Sequence, residues 1–303
     1  MCFSVSVGIP AYNEESNIAN LLIAIMHQKT DAVKINEIIV VSSGSTDKTN
    51  SIVEDFSRKD SRIKLLKQSE RKGKVSAINE FLKVANNDIM VLESADTIPG
   101  ERTIERLCLP FEKSQIGMTG AHPVPINDPN SLMGFTSHLE WSLHDHISMR
   151  KPKCGELAAF RKVFQTIPDN TAVDEAWIEF EIEKKNYEIV YVPDAIVYNR
   201  GPETVSDFLK QRRRIACGHL DLSKRTNFDV STSKFSVMLP AILEVIPRIE
   251  PKKWPKKWIY FVGAFALEGL SRFLGYYDYY NKKDQHSIWE ISKTTKNLDC
   301  HAA

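Results

Sequence analysis

The chain has 303 residues, 42% of them hydrophobic and 26% charged, with 40 basic and 39 acidic side chains. That composition belongs to a foldable soluble protein, and the near-cancelling charge argues against a general nucleic-acid binder. Cys2, Cys108, Cys154, Cys217 and Cys300 are scattered and include no CxxC pair, so neither a zinc site nor a disulfide framework is expected, and a reducing, cytoplasmic compartment fits them.

The first hundred residues alternate strand and helix. Val5–Ile9 alternates as a strand with no basic region or long apolar run before it, so no signal peptide is expected. Asn13 is then expected to cap a helix with Glu14 and Glu15 in its first turn and Ile18, Leu21, Leu22 and Ile25 on one face. Glu37–Val41 reads as a buried strand, followed by a helix carrying Thr49, Ile52, Val53 and Phe56. Ile63–Leu66 is a third strand, and Val75, Ile78, Leu82 and Ala85 mark a third helix. Ile89–Leu92 is a fourth strand. This alternation predicts an α/β protein with a mostly parallel central sheet and helices on both faces, where ligands sit at the carboxyl ends of strands. Three polar clusters fall on such ends: Ala11–Glu14, Ser42–Asp47 and Ser94–Asp96.

Beyond residue 100 the spacing predicts a strand over Gly117–His122 and a helix over Leu132–Ile147, rich in His and Trp. Gly155–Arg161 reads as a strand, Ala172–Lys185 as an acidic helix, Ile189–Val192 and Ile196–Val197 as short strands, and Asp207–His219 as a basic helix. The composition changes after this, which places a domain boundary near residue 228 and divides the chain into 1–228 and 229–303. Phe235, Met238, Leu239, Ile242, Ile246 and Ile249 keep helical spacing across Pro240 and Pro247. Trp258–Leu267 is an apolar run of ten residues, about half of what spans a bilayer core. Lys252, Lys253, Lys256 and Lys257 beside Trp254 and Trp258 suit the surface of an anionic membrane leaflet, or equally a pair of helices packed on protein.

Taken in order, "VSVGIPAYNEE", "VVSSGSTDKT", "RKGKVSAIN", "VLESADT", "GELAAFRK", "VDEAWIE" and "QRRRI" resemble the motifs of the family 2 glycosyltransferases, inverting enzymes of GT-A fold. The resemblance spans roughly residues 4 to 220, each motif weak alone and strong only in sequence. It implies that Pro10, Ala11, Tyr12 and Glu14 surround the base and ribose of a nucleotide-sugar donor. Ser42 and Ser43 stand where the family usually has two aspartates, and Ser43 would meet the base as a neutral partner. Lys74 would neutralise phosphate charge. Ser94 replaces the first aspartate of the family's Asp-x-Asp signature; with Ala95 it would line the donor site, while the surviving Asp96 would bind Mg2+ or Mn2+. Gly155 and Glu156 would face the acceptor, with Phe160 and Arg161 walling its pocket.

In the acidic pair, Glu175 takes the place of the base that deprotonates an acceptor hydroxyl, with Asp174 as its neighbour or replacement. Gln211, Arg212 and Arg214 would cover the diphosphate, whereas Ile215 replaces a tryptophan of the family pattern and Arg213 reads as a solvated side chain. The resemblance thus implies transfer of a sugar to a saccharide, a polysaccharide precursor or a lipid-linked acceptor, at a cytoplasmic membrane face if the tail binds lipid. Two alternatives stay open. A nucleotidyltransferase shares the alternation but usually has a Gly-rich loop near the first strand, and a degenerate nucleotide-sugar-binding protein is suggested by Ser42, Ser43, Ser94 and Ile215.

Overall fold

A computed structural model describes residues 3–230, 235–245, 254–282, 293–296 and 298. Eight strands form one sheet: β1 (Phe3–Ala11), β2 (Val33–Ser43), β3 (Ile63–Gln68), β4 (Ile89–Glu93), β5 (Thr97–Pro99), β6 (Ile116–Pro125), β7 (Leu157–Arg161) and β8 (Glu188–Asn199), in the order β3-β2-β1-β4-β7-β6-β8-β5. The first four strands pair in parallel. β7 enters antiparallel between β4 and β6, and β6 pairs in parallel with β8. The result is the mixed sheet of a GT-A fold.

The period of two that marks these strands decides which face each residue covers. Val5, Val7, Ile9, Val40 and Val91 pack with helix α1 (Ile18–Met26) on one face. Ile39, Val41, Met90 and Leu92 pack with α3 (Lys74–Val84) and α6 (Asp174–Lys184) on the other. Gly8 belongs to the second face, and a Cβ there would lie 2.4 Å from the Phe81 ring of α3. No other residue lets that helix approach so closely.

Several boundaries differ from those the sequence suggests. Asn13 does not cap α1, which begins only at Ile18; its backbone is left-handed, with φ of 52°. Its side-chain oxygen instead accepts from the Thr46 amide at 2.8 Å, tying the loop after β1 to the loop after β2. The two short strands near 189–197 are one, β8, whose pairing with β6 shifts register near Pro193. β5 and α4 (Thr103–Cys108) carry no clear period and were not expected.

The remaining helices are α2 (Thr49–Lys59), α5 (Leu132–Ser148), α7 (Val205–Thr226), α8 (Phe235–Val245) and α9 (Trp254–Tyr277). Of these, α2 packs along β3, and the other four border a cleft at the carboxyl ends of the strands. α8 lies against α5, and α9 lies along α7. Arg213, read from sequence as solvated, is ion-paired with the fully buried Asp278 just beyond α9. Pro240 sits inside α8. Ile246, Pro247, Ile249, Lys252 and Lys253 lie outside the described residues.

Candidate active site

A cleft of about 880 Å³ opens over the carboxyl ends of β1, β2 and β4, and it is bordered by the candidate residues of the first, third and fourth motifs, by Ser43, by Gly155 and Glu156, by Asp174 and Glu175, and by Gln211, Arg212 and Arg214. Phe160 and Arg161 do not wall it as expected: Phe160 is buried in the core against Phe164, and Arg161 donates to the carbonyls of Phe111 and Ile116. One side of the cleft is built by turns. Gly44, with φ of +69°, ends β2; a Cβ there would strike the Arg71 amide at 2.4 Å. That close approach lets Ser43, 3% exposed, accept from the Lys72 amide at 2.9 Å. Asp47 accepts from the Thr49 amide at 3.0 Å and Glu15 from the Lys48 amide at 3.0 Å, so acidic side chains satisfy the start of α2. The small residues of 42–46 thus hold the first three βα loops together. Arg71, which carries no motif signal in the sequence, lies 4.1 Å over the Tyr12 ring.

Four carboxylates gather beneath this side. Burial raises Glu93 to about 8, Glu14 to about 7 and Glu156 to about 7, and the charge of Asp96 adds to each. Glu93 also has one buried oxygen with no hydrogen-bond partner. Glu156 is placed by its own left-handed backbone, φ of 59°, and accepts from Asn199 at 3.2 Å. A cluster of carboxyl oxygens only partly offset by Lys296 and Lys74 suits a hard divalent cation. Among the described residues no three His, Cys, Asp or Glu close on one point, so Asp96 would share such an ion with oxygens from a ligand.

Across the cleft, α6 opens with Asp174 and Glu175. Lys74, at the start of α3, lies 2.9 Å from Asp174 Oδ2 and 2.9 Å from Glu175 Oε1. Burial opposes ionisation of both acids. At Glu175 the Lys74 ammonium outweighs it and holds the carboxyl down to about 2, whereas Asp174, 1% exposed and beside that charge, is raised to about 6. Arg214 faces Asp174, Glu175, Glu156 and Asp96 together. Arg212 turns the other way: its guanidinium makes a two-pronged ion pair with Glu268 of α9, at 2.8 and 2.9 Å.

A strap of chain completes the mouth. Lys296 donates to the carbonyls of Tyr12 and Asn13 at 2.9 and 2.8 Å and to Glu14 Oε1 at 2.6 Å. Thr294 donates to Asp207 at the start of α7 at 2.7 Å. Nothing local in the sequence around Lys296 signals this.

The Glycosyl transferase family 2 model matches residues 6–174, more than half the chain, and a Glycosyl transferase family group 2 model matches residues 120–272. The chain belongs to glycosyl transferase family 2. Among curated proteins this family member is 25% identical over 249 residues to a poly-beta-1,6-N-acetyl-D-glucosamine synthase of Staphylococcus epidermidis, covering 78% of this chain and 59% of that one. A synthase of the same name from Staphylococcus aureus is 24% identical over 252 residues, covering 78% and 60%. The chain therefore spans about three-fifths of the length of these relatives.

Among solved structures, the mannosyltransferase of Pyrobaculum calidifontis, in complex with GDP-Man and Mn2+, superposes with a TM-score of 0.61 at 22% identity, covering 95% of this chain and 84% of that one. Glucosyl-3-phosphoglycerate synthase of Mycobacterium tuberculosis, with Mn2+, UDP and glucosyl-3-phosphoglycerate, gives 0.53 at 17% identity, covering 76% and 82%. These likenesses establish the GT-A fold.

Proposed function

We propose that the protein is a divalent-metal-dependent inverting glycosyltransferase that moves a sugar from a nucleotide-sugar donor to an acceptor hydroxyl. The observation that carries this reading is the convergence on one cleft of a base-binding turn, the Asp96 carboxylate cluster and the Lys74–Asp174–Glu175 triad. The names of the curated relatives and of the solved neighbours point the same way. Residues 1–228 form the catalytic unit and 229–303 an appended helical segment.

Pro10, Ala11, Tyr12, Ser43, Ser94 and Ala95 shape the donor pocket, and Glu14 braces it through Lys296. Asp96 holds Mg2+ or Mn2+, which when bound neutralises charge on the departing nucleoside diphosphate. Gln211 and Arg214 add donors on that side. Glu175 takes the proton of the acceptor hydroxyl while Asp174 orients Lys74. A carboxylate pinned by an ammonium is a weak base; donor phosphate drawing Lys74 away strengthens Glu175 at the moment it is needed. Gly155 and Glu156 border the acceptor.

The acceptor, a saccharide or a lipid-linked saccharide, is met at a cytoplasmic membrane surface. Ile259, Val262 and Phe273 of α9 are 70%, 64% and 67% exposed and, with Leu270 and Tyr277, form one apolar stripe along that helix. No described helix is long and apolar enough to cross a membrane. Co-sedimentation with anionic liposomes should fall when Ile259 and Phe273 are both changed to Glu; undiminished binding removes the membrane role.

The deciding experiment is a thermal-shift screen of nucleotide sugars with and without Mn2+, followed by calorimetry of Asp96→Ala. A donor that stabilises the protein only with metal, and binds the variant at least tenfold more weakly, is expected. Metal-responsive binding unchanged in Asp96→Ala rejects the assignment of the ion to Asp96. Absence of any nucleotide-sugar binding rejects the function.

A further inference from the structure

The proposed chemistry makes no use of one part of the cleft, the side of α5 that carries Thr136, Glu140, Trp141, His144 and Ile147. His144 is 7% exposed and, among the described residues, neither of its ring nitrogens has a hydrogen-bond partner. The other two histidines of α5 are satisfied, His138 by the Asn127 carbonyl at 2.9 Å and His146 by the Ser142 carbonyl at 2.7 Å. Buried polar atoms are nearly always paired, so an imidazole left bare on both sides while bordering a cleft is placed for a ligand. Burial first, then the nearby Lys153 and His122, brings its pKa down to about 3 and keeps it neutral. A neutral imidazole offers one donor and one acceptor, the complement of a hydroxyl group.

Trp141 stands beside it, its ring centroid 5.2 Å from that of His144 at an interplanar angle of 73°. Both meet over Gly155, where a Cβ would come within 3.8 Å of His144 Nε2 and of the outer ring atoms of Trp141. The next residue, Glu156, lies in the field of Asp96, and Glu175 acts electrostatically on neighbouring Cys154. The aromatic pair therefore touches the residue that directly precedes Glu156 and borders the same cleft.

We propose that Trp141, His144 and Gly155, which border the cleft together, form a saccharide subsite for the acceptor, with the indole against the C–H face of a pyranose ring and His144 hydrogen-bonded to one of its hydroxyls. Tryptophan supplies a large rigid apolar surface for such a ring, and the bare imidazole supplies selection by hydroxyl position, because an analogue without that hydroxyl leaves the buried nitrogens unpaired. The assignment rests on the glycosyltransferase reading for its name as an acceptor site, but sugar binding there is measurable without turnover.

The test titrates the full chain with methyl glucoside, methyl mannoside, methyl galactoside and methyl N-acetylglucosaminide, following saturation transfer to the sugar and the ring-nitrogen resonances of labelled histidine. At least one glycoside is expected to bind in the millimolar range and to shift the His144 resonances. His144→Phe, which keeps the ring and its packing, should weaken that glycoside about tenfold without lowering the unfolding midpoint. Trp141→Ala should weaken it at least as much, and both variants should keep nucleotide-sugar affinity within about twofold, since no donor contact is assigned to them. Failure of all four glycosides to bind, or equal binding by wild type and both variants, overturns the subsite while leaving the donor site standing. Glycoside binding that obeys these expectations in a protein that binds no nucleotide sugar supports the subsite and defeats the transferase reading instead.

Discussion

The donor side of the cleft and its α7–α9 wall are made by different means. On the donor side, strand ends, tight turns and short side chains bond to backbone amides a few ångströms away: Ser43 to Lys72, Asn13 to Thr46, Asp47 to Thr49. The opposite wall is joined by long charged side chains crossing between helices, Arg212 to Glu268 and Arg213 to Asp278. Backbone-anchored turns fix positions rigidly, whereas ion pairs between helices hold them only as firmly as their burial allows. The strand-end side therefore presents a preformed surface, whereas the wall keeps its place only through the pairs between its helices.

The sharpest way to test that division is to strike the residue between the two regions. Glu175→Gln should lower turnover at saturating donor by about 10²–10⁴-fold while donor affinity stays unchanged. Asp174→Asn should lower it less. A dead Asp174→Asn beside a near-normal Glu175→Gln would reverse the two roles.

Next in size is Arg213→Ala, which removes the two-pronged ion pair to the buried Asp278 carboxylate. Unfolding in urea should show a loss of about 3 kcal/mol, the low end for a broken buried pair because Arg213 is partly exposed. The donor side should still bind its nucleotide. Loss of donor binding in a folded variant would mean that the wall and the donor side are one cooperative surface.

Acid titration probes the sheet under the donor side. Burial alone would raise Glu37; hydrogen bonds from Lys64, the Asn86 amide and Ser6 outweigh it and bring its carboxyl down to about 2 from 4.5. Because the folded value lies below the unfolded one, the stabilisation is complete above about pH 4.5 and disappears as pH falls toward 2. After discounting for the half-exposed Lys64, Glu37→Gln should cost about 2 kcal/mol at pH 7 and progressively less below pH 4.5. A constant difference across that range would reject the assignment. Smallest of all, Ser43→Ala should cost about 1 kcal/mol through the unpaired Lys72 amide, with weaker donor binding as the loop at 70–73 loosens; an unchanged unfolding midpoint would show that water replaces the hydroxyl.

The same contrast explains what could be read in the sequence. β1, β2 and β4 each run from apolar residues straight into a polar cluster, so period and position together point to the cleft, which Pro10–Tyr12, Ser43 and Ser94–Asp96 border. Phe160 and Arg161 lie away from it because β7 turns them into the core and onto the Phe111 and Ile116 carbonyls. Asn13 misled because a turn over 14–17 separates it from α1, and its left-handed backbone serves a loop 33 residues away. Arg213 looked like any surface cation because its partner lies 65 residues downstream. His144 gave only a composition, a helix rich in His and Trp; that it is bare while His138 and His146 are satisfied depends on which carbonyls the folded chain brings near. Local chemistry is visible along the chain, and pairing across it is not.

The strap at Lys296 carries a consequence for biosynthesis. Its ammonium rests on the carbonyls of Tyr12 and Asn13, 284 and 283 residues earlier. At roughly 5–20 residues per second, a ribosome makes the first of these loops about 15–60 s before the residue that closes over it. The loop after β1 thus waits that long for the cation that closes over it. During that interval Glu14 lies beside Asp96 without its cationic neighbour, and a nascent chain arrested before residue 296 should bind nucleotide differently from the released protein.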